Sequence, residues 1–234
     1  MRATVCLPTY DERANLERML RSLGEVLREG DRVLVIDDSS PDGTGRLAEE
    51  LARELPFVSV LHRPQKEGLG PAYLAGFRLA LDDGAELVLE MDCDFSHDPA
   101  DVPRLIAAAE EGADVVLGSR YVAGGRVGNW GLTRRAISRG GSLYTALFLH
   151  MGVKDPTGGF KCFRRRVLET IDPETITAKG YAFQIEATYR AKRAGFRIVE
   201  IPITFDDRVS GTSKMSRRIV LEAVWRVPLL RLGR

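Results

Sequence analysis

The sequence predicts an α/β protein with a mostly parallel central sheet covered by helices on both faces. Short apolar runs, among them Thr4–Leu7, Val33–Ile36 and Leu87–Met91, alternate with segments whose apolar residues recur every three to four positions. The order is strand, helix, strand, helix, as parallel crossovers require. Two acidic pairs, Asp37-Asp38 and Asp92/Asp94, follow two of the strands, at the edge where such sheets bind ligands.

Taken in order, Thr4–Leu7 reads as a buried strand ended by Pro8, and Leu16, Met19, Leu20, Leu23, Val26 and Leu27 recur at helical spacing. Val33–Ile36 is a second strand, Asp42-Gly43 a turn, and Leu47, Leu51 and Leu55 mark a second helix. Phe57–Leu61 is strand-like, and Pro71–Leu81 reads as a helix after the glycines at 68 and 70. Leu87–Met91 is the next strand. Pro99 suits the first turn of a helix running to about Glu111, and Val115–Leu117 is a further strand. The second half is less regular. Residues 129–151 open with Arg134, Arg135 and Arg139 and close with Leu143, Leu147 and Phe148; Asp155–Gly159 is a loop, Ala182–Ala194 a helix and Arg197–Ile201 a strand. We divide the chain into a domain over 1–215 and a basic amphipathic segment over 216–234, where Arg217 and Arg218 accompany Ile219, Leu221, Trp225, Leu229 and Leu230, with Pro228 interrupting.

The 234 residues suffice for one large α/β domain, and 44% hydrophobic with 29% charged residues fits a globular chain. A net charge of +1 gives no argument for nucleic acid as a partner. Cys6, Cys93 and Cys162 have neither disulfide nor metal-ligand spacing, which fits a reducing compartment. No signal peptide or membrane-spanning run is predicted.

Asp92-Cys93-Asp94 carries the sharpest chemistry. If the strand continues through it, both carboxylates lie on one side and Cys93 faces the core. Paired carboxylates call for a cation, and hard oxygen ligands suit Mg²⁺ or Mn²⁺ held together with a substrate diphosphate; a solvated turn after the strand is the ordinary alternative. Asp37–Ser40 suits either ligand binding or a strand-to-helix connection rich in capping residues. Gly68-Leu69-Gly70 fits either a close backbone approach to a ligand or a tight turn. Arg120, Arg134 and Arg135, with Ser138 about one helical turn on, could grip a phosphate through paired N–H donors; a solvated basic face is the ordinary alternative. His62 and His97 are isolated, and an isolated histidine is more often structural than catalytic.

Together with these residues, Leu7–Glu12 with Asn15, Val35–Thr44, Met91–Pro99, Gly118–Tyr121, Asp155–Lys161 and Arg208–Lys214 resemble, in order, the family-two glycosyltransferases of GT-A fold, in their polyprenol- or dolichol-phosphate mannose synthase branch. The resemblance implies inverting transfer of mannose from GDP-mannose to polyprenyl or dolichyl monophosphate, with Mg²⁺ or Mn²⁺. It implies Pro8, Tyr10, Glu12, Asp37, Asp38, Asp92 and Lys214 at the donor, and Asp92 and Asp94 at the metal. Ser96, where archaeal members carry Gln, is a weaker third metal ligand. Arg120, Arg134, Arg135 and Ser138 would hold the acceptor phosphate. Asp92, Asp94 and Arg208 would be catalytic, with Arg208 and Lys214 on a loop closing over the diphosphate. A phosphate monoester with a second pKa of about 6 needs no strong general base. The chain would work on the cytoplasmic face of a membrane, held peripherally or by a separate membrane partner. Rival readings are a UDP-sugar donor, a non-catalytic nucleotide-binding subunit, and a phosphoacceptor receiver domain, whose aspartates would follow the first and third strands.

Overall fold

The computed structural model describes residues 1–128, 130–176, 181–207 and 227–231. Its main sheet comprises β1 (Ala3–Thr9), β2 (Arg32–Asp37), β3 (Val58–His62), β4 (Leu87–Glu90), β5 (Val115–Ser119), β7 (Lys161–Arg164) and β8 (Ile198–Pro202), in the order β3-β2-β1-β4-β7-β5-β8. A small parallel pair, β6 (Arg126–Val127) with β9 (Thr204–Phe205), stands apart. The helices are α1 (Arg13–Val26), α2 (Thr44–Glu54), α3 (Leu69–Asp82), α4 (Val102–Glu110), α5 (Leu132–Phe148), α6 (Arg165–Ile171) and α7 (Tyr181–Arg193).

The strands are mostly apolar because both faces of the sheet are covered. Val5, Leu7, Val33 and Val35 pack with Leu16 and Leu20 of α1 and Leu105 of α4 on one face. Cys6, Leu34, Ile36 and Val88 pack with Tyr73 and Phe77 of α3 and Phe183 of α7 on the other. The alternation along each strand sends neighbouring residues to opposite cores.

The structure bears out the mostly parallel sheet and adds three local details. First, β4 ends at Glu90, and Cys93-Asp94 forms a turn, so strand alternation does not place Asp92 and Asp94. Second, the sheet is parallel except for β7, which runs antiparallel between β4 and β5. Reversal brings the segment entering β7, residues 155–160, to the edge where β4 and β5 end. Third, Pro99–Asp101 is a 3₁₀ turn capped by Asp98, whose side chain accepts from Ala100 N (2.9 Å), and α4 begins at Val102.

No helix among the described residues is long and apolar enough to cross a membrane. The helical stretch at 227–231 lies against the domain: Val227 is buried and Arg231 donates to the Phe148 carbonyl (2.8 Å). Arg208, Lys214 and residues 216–226 of the amphipathic segment lie outside the described residues.

Candidate active site

The strand order reverses between β1 and β4, which opens a crevice beyond their carboxyl ends. Among the described residues, three of the five non-glycine residues with positive φ lie in the turns leaving this edge: Asp11 (φ 54) after β1, Ser39 (φ 58) after β2 and Phe95 (φ 60) after β4. Such backbone is costly away from glycine and gathers where a site needs it.

On the donor flank, Glu12 is buried, accepts from Asn15 Nδ2 (2.9 Å), and its N–H donates to Thr44 Oγ1 (3.0 Å). Pro8 lies within β1, and Tyr10, just beyond it, has Lys66 Nζ 3.5 Å from its ring centroid. Asp37 ends β2 almost fully buried; its Oδ2 accepts from Ser40 N (3.3 Å) while Oδ1 has no hydrogen-bond partner. A buried acceptor left open in this crevice suits an N–H or hydroxyl of a ligand. Asp38 pairs with the buried Arg63, which also holds Glu67 at 2.6 Å. Burial raises the Asp38 pKa, and Arg63 offsets only part of that rise. Sequence reasoning missed Arg63 and Lys66. Their signal was positional, since both follow β3, whose carboxyl end adjoins β2.

The turn after β4 holds the second acidic pair. Asp94 is 3% exposed, and its Oδ1 accepts from Ser96 N (3.0 Å) and Ser96 Oγ (2.5 Å). Here Ser96 steadies the carboxylate of Asp94. His97 Nδ1 accepts from Asp92 N (3.3 Å), which leaves the ring proton on Nε2. The ring stacks on Phe160 at 4.9 Å, and burial pushes its pKa down to about 4, so it is neutral near pH 7 and braces the turn. His62 contacts Glu49 (3.0 Å) and lies 3.7 Å from Asp37. Cys93 is buried, as expected. The donor set of Asp92, Asp94 and Ser96 is all oxygen and fits a hard divalent cation. Among the described residues no cluster of three His, Cys, Asp or Glu could hold an ion, so a cation here would share substrate phosphate oxygens, as Mg²⁺ commonly does.

Across the segment at 155–160 stands the basic flank. Arg120 is 8% exposed and grips the fully buried Asp155 through Nε and Nη2, both at 2.7 Å; Nη2 also donates to Thr157 Oγ1 (3.0 Å). Burial opposes ionisation of Asp155, but the Arg120 hydrogen bonds and charge prevail and hold its pKa below the usual carboxylate value. Tyr121 Oη donates to Ser138 Oγ (2.7 Å). Arg134 lies over the Trp130 ring (4.0 Å to its centroid) and pairs with Asp207 at 2.6 Å, with both side chains nearly half exposed. Arg135 is exposed, with Nη2 3.5 Å from the Val127 carbonyl. The predicted acceptor residues therefore share one flank, but Arg120 is a buried, compensated charge, and Arg134 and Arg135 are surface ones.

Beneath the metal turn lies a polar cluster that sequence reasoning did not find. Glu90 and Lys161 are register partners across β4 and β7, each 0% exposed. Lys161 Nζ donates to the Gln184 carbonyl (2.7 Å) and Thr188 Oγ1 (2.8 Å). Burial pushes the Glu90 pKa up to about 7, against the pull of Lys161 and Gln184, and the Lys161 pKa down to about 8, against Glu90 and Asp155.

The family model for Glycosyl transferase family 2 matches residues 4–172. An undecaprenyl-phosphate mannosyltransferase of Micrococcus luteus is 49% identical over 224 residues, covering 96% of this chain and 91% of that protein. A polyprenol monophosphomannose synthase of Mycolicibacterium smegmatis is 46% identical over 227 residues, covering 97% and 85%. Among solved structures, glucosyl-3-phosphoglycerate synthase from Mycobacterium tuberculosis, in complex with Mn²⁺, UDP and glucosyl-3-phosphoglycerate, is similar at a TM-score of 0.70 and 22% identity, covering 99% of this chain and 80% of that one. That likeness shows the fold, which is of GT-A type.

Proposed function

We propose that this chain, which belongs to glycosyl transferase family 2, transfers mannose from GDP-mannose to a polyprenyl monophosphate with inversion. The observation carrying this is the pairing of two acidic turns at the β1/β4 crevice with a basic flank across residues 155–160. The two mannosyltransferase relatives, at 49% and 46% identity, support the sugar and the lipid phosphate. The guanosine nucleotide is the finer part of the proposal.

In this reading Asp37 accepts from the base or ribose through its open Oδ1, beside Pro8, Tyr10, Glu12 and Asp38. Asp94, steadied by Ser96, and Asp92, braced by His97, would hold Mg²⁺ or Mn²⁺. Such a cation supplies Lewis-acid neutralisation of the departing diphosphate. Arg134, Arg135 and Ser138 orient the acceptor, with Arg120 and Asp155 as the rigid base of that flank. A phosphate oxygen of the acceptor bonds to the anomeric carbon as the bond to the nucleoside diphosphate breaks on the opposite face. The nucleophile arrives ionised, so no side chain need take a proton. Arg208 and Lys214 would stabilise the leaving group from above. Leu132, Ile137, Leu143 and Leu147 are exposed on α5 beside its arginines, which supports peripheral attachment to an anionic membrane, on the cytoplasmic face, with 216–234 as an appended basic segment.

The test is a transfer assay on purified protein with decaprenyl phosphate, Mn²⁺ and, separately, GDP-mannose, UDP-glucose and UDP-N-acetylglucosamine. Lipid-linked product from GDP-mannose is expected. Product from UDP-sugars alone would overturn the donor assignment, and folded protein inactive with all three would support a non-catalytic subunit.

A further inference from the structure

Among the described residues, seven buried side-chain polar atoms lack a hydrogen-bond partner, and five of them belong to Glu90 (both oxygens), Tyr73 (the hydroxyl) and Gln184 (both amide atoms). They form one cluster. Glu90 is on β4 opposite Lys161, and Lys161 reaches the Gln184 backbone on α7. Gln184 Nε2 and Asp92 Oδ2 flank Gly159, 3.9 and 4.0 Å from where its Cβ would stand. The Gln184 amide lies close enough to act on the Glu90 carboxylate, yet without the geometry of a hydrogen bond. The Tyr73 ring stacks on Phe183, the neighbour of Gln184 on α7, with centroids 6.2 Å apart, and burial raises the Tyr73 hydroxyl pKa well above its ordinary value, with Asp92, Glu90, Cys6 and Asp94 raising it further.

Buried polar atoms are nearly always satisfied, and where protein groups do not suffice, internal water making about three hydrogen bonds does so. Lys161 adds a further donor, since its ammonium has three N–H groups and donates to two acceptors, the Gln184 carbonyl and Thr188 Oγ1. Apolar residues of similar volume would hold these elements together as well as a buried charged pair. Stability therefore gives no reason for this chemistry two residues before Asp92. Partners behind a metal ligand, by contrast, set its orientation and affinity.

We propose that Glu90, Tyr73 and Gln184, with Lys161, form a water-holding positioning site that fixes the Asp92 carboxylate for its divalent cation. This rests on the metal role given to Asp92 and Asp94 above. The four residues come from β4, α3, α7 and β7, so the site ties the metal turn to both helices on that face and to the antiparallel strand.

The test measures Mn²⁺ affinity in the presence of GDP, from the paramagnetic resonance signal of free Mn²⁺, together with the thermal midpoint. The variants are Tyr73→Phe and the double Glu90→Leu/Lys161→Met. Tyr73→Phe should lower the midpoint, because a satisfied hydroxyl loses its bond, and weaken Mn²⁺ about threefold. The double variant should fold, having lost both charges together, and bind Mn²⁺ about tenfold more weakly, within the range seen when partners of metal ligands are changed. A raised midpoint in Tyr73→Phe would mean that the hydroxyl is unsatisfied, and overturns the proposal. So does wild-type Mn²⁺ affinity in either folded variant. If the double variant does not fold, Tyr73→Phe decides alone. Wild-type protein that binds no Mn²⁺ refutes the metal reading itself, and this proposal with it.

Discussion

The two flanks of the site handle charge in opposite ways. On the donor flank, Asp37 keeps an open buried oxygen, and two acidic turns crowd one crevice. On the basic flank two of the cations already have anionic partners inside the protein: Arg120 has Asp155, and Arg134 has Asp207. In the proposed reading a cation and hydrogen-bond donors complete the donor flank. The basic flank is assembled beforehand, and an arriving phosphate must share or displace what is there. The same contrast separates rigid from exchangeable charge, since the Arg120 pair is buried while the Arg134 pair is nearly half exposed.

The sharpest way to break this contrast is Asp94→Ala. If the donor flank depends on a cation, transfer should fall about a thousandfold, the rate equivalent of several kcal/mol of charge stabilisation, while circular dichroism stays unchanged. Next is Arg120→Leu, which strands the Asp155 carboxylate. It should cost roughly 3–5 kcal/mol in urea unfolding, the usual penalty for breaking a buried pair. The folded pKa of Asp155 lies below its unfolded value, so the pair's stabilisation is full above that unfolded value, about 3.9, and is lost as pH falls through the folded one. Without Arg120, burial alone raises the Asp155 pKa in the folded variant, so the stability gap between wild type and Arg120→Leu should shrink as pH falls, starting above the unfolded value of Asp155.

Arg134→Ala probes the exchangeable side. The KM for polyprenyl phosphate should rise about tenfold, in line with one lost charge-assisted contact, with the KM for the donor unmoved. Its stability should change by no more than about 0.5 kcal/mol, because exposed pairs contribute little. Asp207→Asn should have the smallest effect, lowering the acceptor KM about twofold as Arg134 is released. A raised acceptor KM in Asp207→Asn would show that the pair organises the site, in conflict with competition for Arg134.

The donor flank was far more legible in the sequence than the basic flank, for physical reasons. The parallel strands β1, β2 and β4 are uniformly apolar and separated by periodic helices, so their carboxyl ends, and the acids there, can be located by counting. The segment Lys161–Arg164 offers no such signal. It is four residues long, charged at both ends, and becomes a central strand only through antiparallel pairing with β4 and β5. Asp155 as the partner of Arg120, Arg63 as that of Asp38, and the cluster around Glu90 all depend on contacts between distant stretches of chain. The Asp-x-Asp turn was found for a reason the fold does not share. Its acids are set by a turn containing positive φ at Phe95 and braced by Ser96 and His97, because β4 stops at Glu90.

The central claim is that the donor flank is completed by a cation held with the nucleotide. Calorimetric titration of GDP into wild type and Asp94→Ala, each with and without Mn²⁺, tests this most directly. The account predicts Mn²⁺-dependent GDP binding to wild type that is lost in a folded Asp94→Ala. Equal binding of GDP to both proteins, whether or not Mn²⁺ is present, would contradict it.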